Sequence, residues 1–301
     1  MTTMNNLDGK VALVSGSGRG IGRALAQKLA SHGARVVVND LDQSATDETV
    51  ADIRSAGGTA VGCAGNVTDP AFAARFIGTA LTTWSGLDII VNNAGYTWDN
   101  VIQKMTDEQF EAMLDVHVKA PFRILREAAE PIRKLAKAEA AEGREVFRKV
   151  VNIASVAGIN GNAGQTNYSS AKAALVGMTK TLCKEWGRYK VNVNCVAFGF
   201  IKTRLTQPLK GESATIDVEG RTIAVGLQPA LIEAAESFIP LGRAGTPEEA
   251  ANGVYLFCTP ESDGTAFRGR SARFYAVLPA SSDPAPSGCY CSFTASFFMC
   301  R

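Results

Sequence analysis

The chain has 301 residues, 46% of them hydrophobic, enough to bury one large core or two small ones without staples. Its 31 basic and 29 acidic residues leave a net charge of +2 with no run of either sign, which excludes the electrostatic footprint of a nucleic-acid or anionic-membrane binder. Residues 1–10 are polar and no apolar run approaches the about 18 residues of a membrane span, so a cytoplasmic protein is expected.

Of the seven cysteines, Cys63, Cys183, Cys195 and Cys258 stand singly among apolar neighbours, the pattern of buried free thiols in a reducing compartment. Cys289, Cys291 and Cys300 crowd the end of the chain without a second pair or a nearby His, so no metal site is expected.

In chain order, Val11 to Ser15 is an apolar run too short for a helix, and it ends in Gly16-Ser17-Gly18-Arg19-Gly20-Ile21-Gly22. Ile21, Leu25 and Leu29 then recur at helical spacing, with Gly33 near the stop. Arg35 to Asp40 is β-branched and ends on a carboxylate, completing a βαβ unit. Glycines in such a turn let backbone approach a pyrophosphate at the helix N-terminus, and an acid about twenty residues on accepts both ribose hydroxyls of an adenosine. Dinucleotide binding is therefore expected at Gly16, Gly20, Gly22 and Asp40.

The alternation continues with a helix over Asp42 to Ala56, a strand over Thr59 to Gly65 running into Asn66-Val67, a helix over Pro70 to Trp84 and a strand over Leu87 to Asn92. Strands alternating with helices predict a doubly wound parallel sheet covered on both faces, a three-layer α/β/α Rossmann fold in a single domain over residues 7–263. Thr106 to about Lys137 reads as one long helix or two abutting ones, with Phe110, Met113, Leu114, Phe122 and Leu125 on the buried side. Charges from Lys134 to Arg148 read as an exposed helix end and turn before a strand over Val150 to Ile153. Gly158 to Gly164 turns the chain, Asn167 to Arg188 reads as a helix, and Val191 to Ala197 as the next strand. Thr206 to Pro240, with Gly, Pro and only brief helical patterns, is expected to form a movable cover. Thr246 caps a final helix with Pro247 at its first position, reaching about Cys258.

The chemistry concentrates in Asn152-Ile153-Ala154-Ser155 and Asn167-Tyr168-Ser169-Ser170-Ala171-Lys172. On a helix, Tyr168 and Lys172 stand at i and i+4 and project one turn apart from one face. A fixed cation there is expected to lower the tyrosine pKa from about 10 toward the working range. The Ser155 hydroxyl, delivered by a strand end, is placed to grip the same substrate oxygen that Tyr168 protonates.

The Gly-x-x-x-Gly-x-Gly turn, Asn92-Asn93-Ala94-Gly95, and the Ser155, Tyr168, Lys172 order together resemble the short-chain dehydrogenase/reductase family over residues 7–263. Asn152 to Lys172 and Pro240-Leu241-Gly242-Arg243 are most similar to its 3-oxoacyl thioester reductase branch. The resemblance implies hydride transfer between NAD or NADP and a carbonyl or secondary alcohol, with Tyr168 as general acid/base, Lys172 lowering its pKa and holding the nicotinamide ribose, and Ser155 orienting the substrate. It further implies cofactor contacts at Asn66 and Val67, at Asn93, Ala94 and Gly95, and at Gly199, Ile201 and Thr203. Ile21 completes the glycine turn. The family's relay Asn falls on His117, expected to hold a proton-relay water or to titrate near neutrality.

NAD is the expected cofactor, because Asp40 repels a 2′-phosphate; Arg19, just before the second turn glycine, favours NADP in the family and is outweighed. A small carbonyl or alcohol substrate, with an acyl thioester first, and a homodimer or tetramer follow from the resemblance. A dehydrogenase of another secondary alcohol, such as a steroid or sugar, and a cofactor-binding protein with impaired turnover are the alternatives. The family pattern stops at Asp263. Residues 264–301, with Arg268, Arg270, Arg273, a Ser/Pro run and three cysteines, read as an atypical tail translated out of frame. Without the family's last strand, Val191 to Ala197 is expected to expose an edge, with Ala272 to Leu278 the local candidate to pair there and the chain from Pro279 disordered.

Overall fold

The computed structural model describes residues 6–208, 214–218, 220–227 and 229–265. The first half alternates as β1 (Val11–Val14), α1 (Gly20–Ser31), β2 (Arg35–Val38), α2 (Gln43–Ser55), β3 (Thr59–Gly62), α3 (Phe72–Trp84) and β4 (Ile89–Asn92). Then follow α4 (Asp107–Leu114), α5 (Ala120–Ala141), β5 (Arg148–Ser155), α6 (Ala157–Asn160), α7 (Thr166–Trp186) and β6 (Val191–Phe198). A two-stranded hairpin, β7 (Ala214–Val218) and β8 (Arg221–Val225), precedes α8 (Pro229–Ser237) and α9 (Pro247–Tyr255).

β1 to β6 form one parallel sheet in the order β3-β2-β1-β4-β5-β6. Every residue of β1 is buried, because successive side chains point to opposite faces and both faces are covered. Val11 and Leu13 pack with Phe72 and Phe76 of α3 and with Met113 and Ile124. Ala12 and Val14 pack with Leu25 and Leu29 of α1, Ile53 of α2 and Val254 of α9. The strand order reverses between β1 and β4, which opens a crevice at the carboxyl ends of the strands. The predicted doubly wound fold is the observed one, and the Thr246 cap holds as read, its hydroxyl accepting from the Glu249 amide at 3.2 Å.

Five expectations are corrected. Phe122 is 47% exposed rather than buried, since it stands nine positions past Met113, half a turn out of phase on a helix, and the Arg126 guanidinium covers its ring at 5.1 Å. The charged segment before β5 is not wholly exposed, because Arg148 pairs with Glu139 at 2.6 Å in the interior and donates to the Leu87 carbonyl at 3.0 Å. The cover after β6 holds an antiparallel hairpin, in which Ile216, Ile223 and Val225 bury themselves against Tyr96, Trp98 and Leu205. Cys183 is half-buried, while Cys63, Cys195 and Cys258 are buried. β6 pairs with β5 alone among the described residues, so it is the edge expected there, but the apolar surface expected to be exposed is not: its eight residues are buried, with α7 and α9 packed on it.

The Ala272 to Leu278 strand candidate, the disorder expected from Pro279 and the three last cysteines lie outside the described residues. Among the described residues no helix is long and apolar enough to cross a membrane, and no group of three or more His, Cys, Asp or Glu is placed to hold a metal ion.

Candidate active site

The crevice is built by three turns locked to one another at the ends of β1, β2 and β4. The Ser15 hydroxyl accepts from the amides of Asn93 at 3.0 Å and Ala94 at 3.1 Å, while Asn93 Nδ2 donates to the carbonyls of Ser15 at 3.0 Å and Gly16 at 2.9 Å. Gly16 adopts φ +62°, and a Cβ there would stand 2.6 Å from Ala94 Cα, so this turn admits only glycine. At Gly22 a Cβ would collide with the Gly16 carbonyl. Asn39 completes the lock: its Oδ1 accepts from the Gly16 amide at 3.1 Å and its Nδ2 donates to the carbonyls of Cys63 and Gly65, both at 3.0 Å. Sequence reasoning missed Ser15 and Asn39, although a polar residue just before a glycine turn, and another just before the acidic stop, were there to be read.

α1 begins at this turn with Arg19 as its N-cap and no side-chain cap, which leaves the first-turn amides facing the crevice. Ile21 is half-buried and packs on the apolar core of α1. Asp40 follows β2 and receives Arg19 Nη1 at 3.2 Å, and Arg19 Nη2 reaches Asp42 at 2.7 Å. The Arg19 bond, followed by those from Ser44, holds the Asp42 carboxyl down at about 2. Gly18 is tight against Asp40, where a Cβ would stand 2.6 Å from Oδ2. Past β3, Val67 is buried in the core while Asn66 caps its own turn, its Oδ1 accepting from the Thr68 amide at 2.9 Å.

The second half of the site comes from β5, α7 and the helices before them. α7 is seated by Asn167, whose Nδ2 donates to the carbonyls of Trp98 and Gln109 at 3.0 Å and whose Oδ1 accepts from the Tyr168 amide at 2.8 Å. Tyr168 and Lys172 stand one turn apart as predicted, with Nζ 5.5 Å from the centre of the Tyr168 ring. The Lys172 ammonium, 4% exposed, donates to the Ile153 carbonyl at 2.7 Å. Burial pulls its pKa down to about 8. Ser155, at the end of β5, accepts from the Ala157 amide at 3.2 Å and lies near enough to the Tyr168 hydroxyl to pull its pKa down.

The tyrosine differs from expectation. Burial pushes Tyr168 up to about 12; the Ser155 hydroxyl offsets this in part, and the Asp99 carboxylate nearby adds to the rise. The expected lowering by Lys172 is not found, because the ammonium is spent on a strand carbonyl and sits over the ring rather than against the hydroxyl. Tyr168 is thus a neutral phenol throughout the physiological range.

Between α4 and α5, residues Asp115–Lys119 form a single π-helical turn that carries His117 at its middle. Its Nε2 lies 2.8 Å from the Tyr96 carbonyl, and its ring meets the Tyr168 ring edge-on at 5.1 Å and 85°. Nδ1 is buried with no hydrogen-bond partner among the described residues. Burial, and then the charge of Lys172, push the His117 pKa well below its usual 6.5, so it does not titrate near neutrality as expected. Gly95 is required beside it, since a Cβ there would collide with the imidazole. After β6, Gly199 leads to Ile201, which is buried and bridges to Gly245, and to Thr203, whose Cγ2 lies 3.9 Å from where a Cβ on Gly20 would stand. The structure thus brings the glycine turn, Asp40 and Asn93 to Gly95 together at the ends of β1, β2 and β4, and Ser155, Tyr168, Lys172 and His117 together at β5 and α7, while Val67 and Ile201 are buried in the core.

A doubly wound sheet with this glycine turn, a Ser at the end of β5 and a Tyr and Lys one turn apart on α7 defines a class, and the chain belongs to the short chain dehydrogenase family, whose model matches residues 10–214. Among curated proteins it is 37% identical over 257 residues to a 3-oxoacyl-[acyl-carrier-protein] reductase of Synechocystis sp., covering 85% of this chain and 92% of that protein. It is 37% identical over 252 residues to the short-chain reductase protein NovJ of Streptomyces niveus, covering 84% and 88%. To the 3-oxoacyl-[acyl-carrier-protein] reductase FabG of Escherichia coli it is 34% identical over 257 residues, covering 85% and 93%.

Proposed function

We propose that this chain reduces the keto group of 3-oxoacyl thioesters with a nicotinamide dinucleotide. The observation that carries the reading is the half-buried, neutral Tyr168 phenol with Ser155 near its hydroxyl and the Lys172 ammonium one turn away, 5.5 Å from the ring centre. The residues at the glycine turn fit such a cofactor: the first amides of α1 carry no side-chain cap, and Asp40 stands at the end of β2 where an adenosine ribose would be held. When bound, the dinucleotide supplies the hydride.

The protein's part is the proton. Ser155 and Tyr168 grip the carbonyl oxygen together, and Tyr168 gives its proton to the alkoxide that forms. Lys172 holds the nicotinamide ribose beside the phenolate left behind. His117 serves as a neutral base, its Nδ1 accepting from a relay water behind the site rather than titrating. Asn66, at the turn after β3, flanks the adenine; Asn93, Ala94 and Gly95 form a close floor; Gly199, Ile201 and Thr203 meet the carboxamide end.

NAD is the preferred cofactor in this reading. Arg19 is already held by Asp40 and Asp42, so it offers a 2′-phosphate little, while the Asp40 carboxylate repels one. The experiment is a panel of 3-oxoacyl thioesters, steroid ketones and sugars, each assayed with NADH and NADPH at the nicotinamide absorbance. Turnover of thioesters above the other classes supports the reading, and a preference for either other class overturns it.

A further inference from the structure

We propose that Arg204 is a phosphate-binding residue of the dinucleotide site, reaching the cofactor from the loop after β6; this rests on the dinucleotide reading above. The 3-10 turn Arg204–Thr206 starts at Thr203, whose side chain abuts Gly20 in the first turn of α1. That turn is fixed in place. Thr206 Oγ1 accepts from the Thr203 amide at 2.8 Å and donates to the Ile201 carbonyl at 2.7 Å, while the Lys202 amide donates to the Gly245 carbonyl at 2.8 Å. The backbone of Arg204 is therefore fixed next to the first turn of α1, and its exposed side chain leaves that turn within electrostatic reach of Arg19, Asp40 and Asp42.

The two arginines at this corner differ in what they are doing. Arg19 spends its guanidinium on Asp40 and Asp42. Arg204 makes no hydrogen bond or ion pair among the described residues, although it lies within electrostatic reach of all three. Neither carboxylate is idle: Asp40 also receives the Asp42 amide at 3.2 Å, and Asp42 receives the Ser44 amide and hydroxyl. Desolvation, and then the like charge of Arg19, lower the Arg204 pKa, while Asp40 and Asp42 act against this. An unspent guanidinium beside an uncapped helix N-terminus has the fork geometry and the charge that a phosphate takes in two parallel bonds. The Arg204 side chain is exposed, so without a phosphate its donors meet solvent; a bound phosphate would replace that water with two charge-assisted bonds.

The test uses the full chain as wild type, Arg204→Gln and Arg204→Lys, titrated with NADH and NADPH by nicotinamide fluorescence and with ADP and adenosine by competition. Arg204→Gln should weaken dinucleotide and ADP binding about tenfold, the factor that about 1.4 kcal/mol represents, with adenosine unchanged and Arg204→Lys recovering part of the loss. Equal losses for NADH and NADPH place the contact at the diphosphate they share; a loss confined to NADPH places it at the 2′-phosphate. Unchanged affinities in Arg204→Gln overturn the proposal, and so does an equal loss for adenosine, which would mean that the loop acts through the fold. If the wild type binds neither dinucleotide, the underlying reading fails instead.

Discussion

The Lys172 ammonium donates to the Ile153 carbonyl at 2.7 Å, so the cation of the site is moored to the strand that delivers Ser155 two residues later. This mooring fixes the charge but leaves it buried, with a pKa of about 8. The rate with substrate, read as kcat/KM, should therefore fall as pH rises through about 8, because the free protein loses the cation that holds the nicotinamide ribose. Stability should move the other way. The unfolded lysine keeps its proton to about 10.5 while the folded one loses it near 8, so the unfolded state binds more protons in that window and stability rises with pH across it. In Lys172→Met, denaturant titrations from pH 7 to 10 should lose that rise, and both cofactor binding and rate should suffer.

Tyr168→Phe removes a hydroxyl and little volume. Turnover should drop by about 10² to 10⁴, the range of general acid catalysis, with the Kd for the dinucleotide nearly unchanged. Steady-state kinetics beside a fluorescence titration separates the two; a Phe variant that keeps most of the parent kcat contradicts the assignment.

His117 should make the fold sensitive to mild acid. The unfolded chain takes up a proton at this residue near pH 6.5, whereas the folded chain holds the buried imidazole neutral, so stability falls as pH drops below that point. The loss is about 1.4 kcal/mol for each pH unit until the folded pKa is reached. Urea titrations of wild type and His117→Asn between pH 7 and 5 check it through their difference: the gap in stability should change with this slope, and a constant gap would contradict the buried neutral state.

Asp40 should decide the cofactor. Asp40→Ser removes the charge that opposes a 2′-phosphate and frees Arg19 from one of its two carboxylates. The ratio of kcat/KM for NADH to that for NADPH should fall, by about tenfold if one charge-assisted contact is gained. An unchanged ratio would show that the ribose lies elsewhere.

The sheet and its order of elements were legible because buried parallel strands read as short β-branched runs and the glycine turn has a fixed place among them. Tyr168 and Lys172 were legible for the same local reason, since i and i+4 on one helix need no tertiary knowledge. What Lys172 does was not, because its partner is the Ile153 carbonyl, nineteen positions back and on another element. Long-range partners also hid the state of Arg148, whose charge reads as surface until Glu139 and the Leu87 carbonyl are brought against it. The β7–β8 hairpin was missed because its apolar side faces Tyr96 and Trp98, residues more than a hundred positions upstream. The π-helical turn at His117 has no sequence period of its own.

The most direct measurement is the consumption of NADH or NADPH by the purified full chain with a 3-oxoacyl thioester, followed at the nicotinamide absorbance beside Tyr168→Phe. The account predicts oxidation of the dinucleotide in equal amount to 3-hydroxyacyl thioester formed, and its loss in the variant. No oxidation by a wild type that binds the dinucleotide, or equal rates in both proteins, would contradict it.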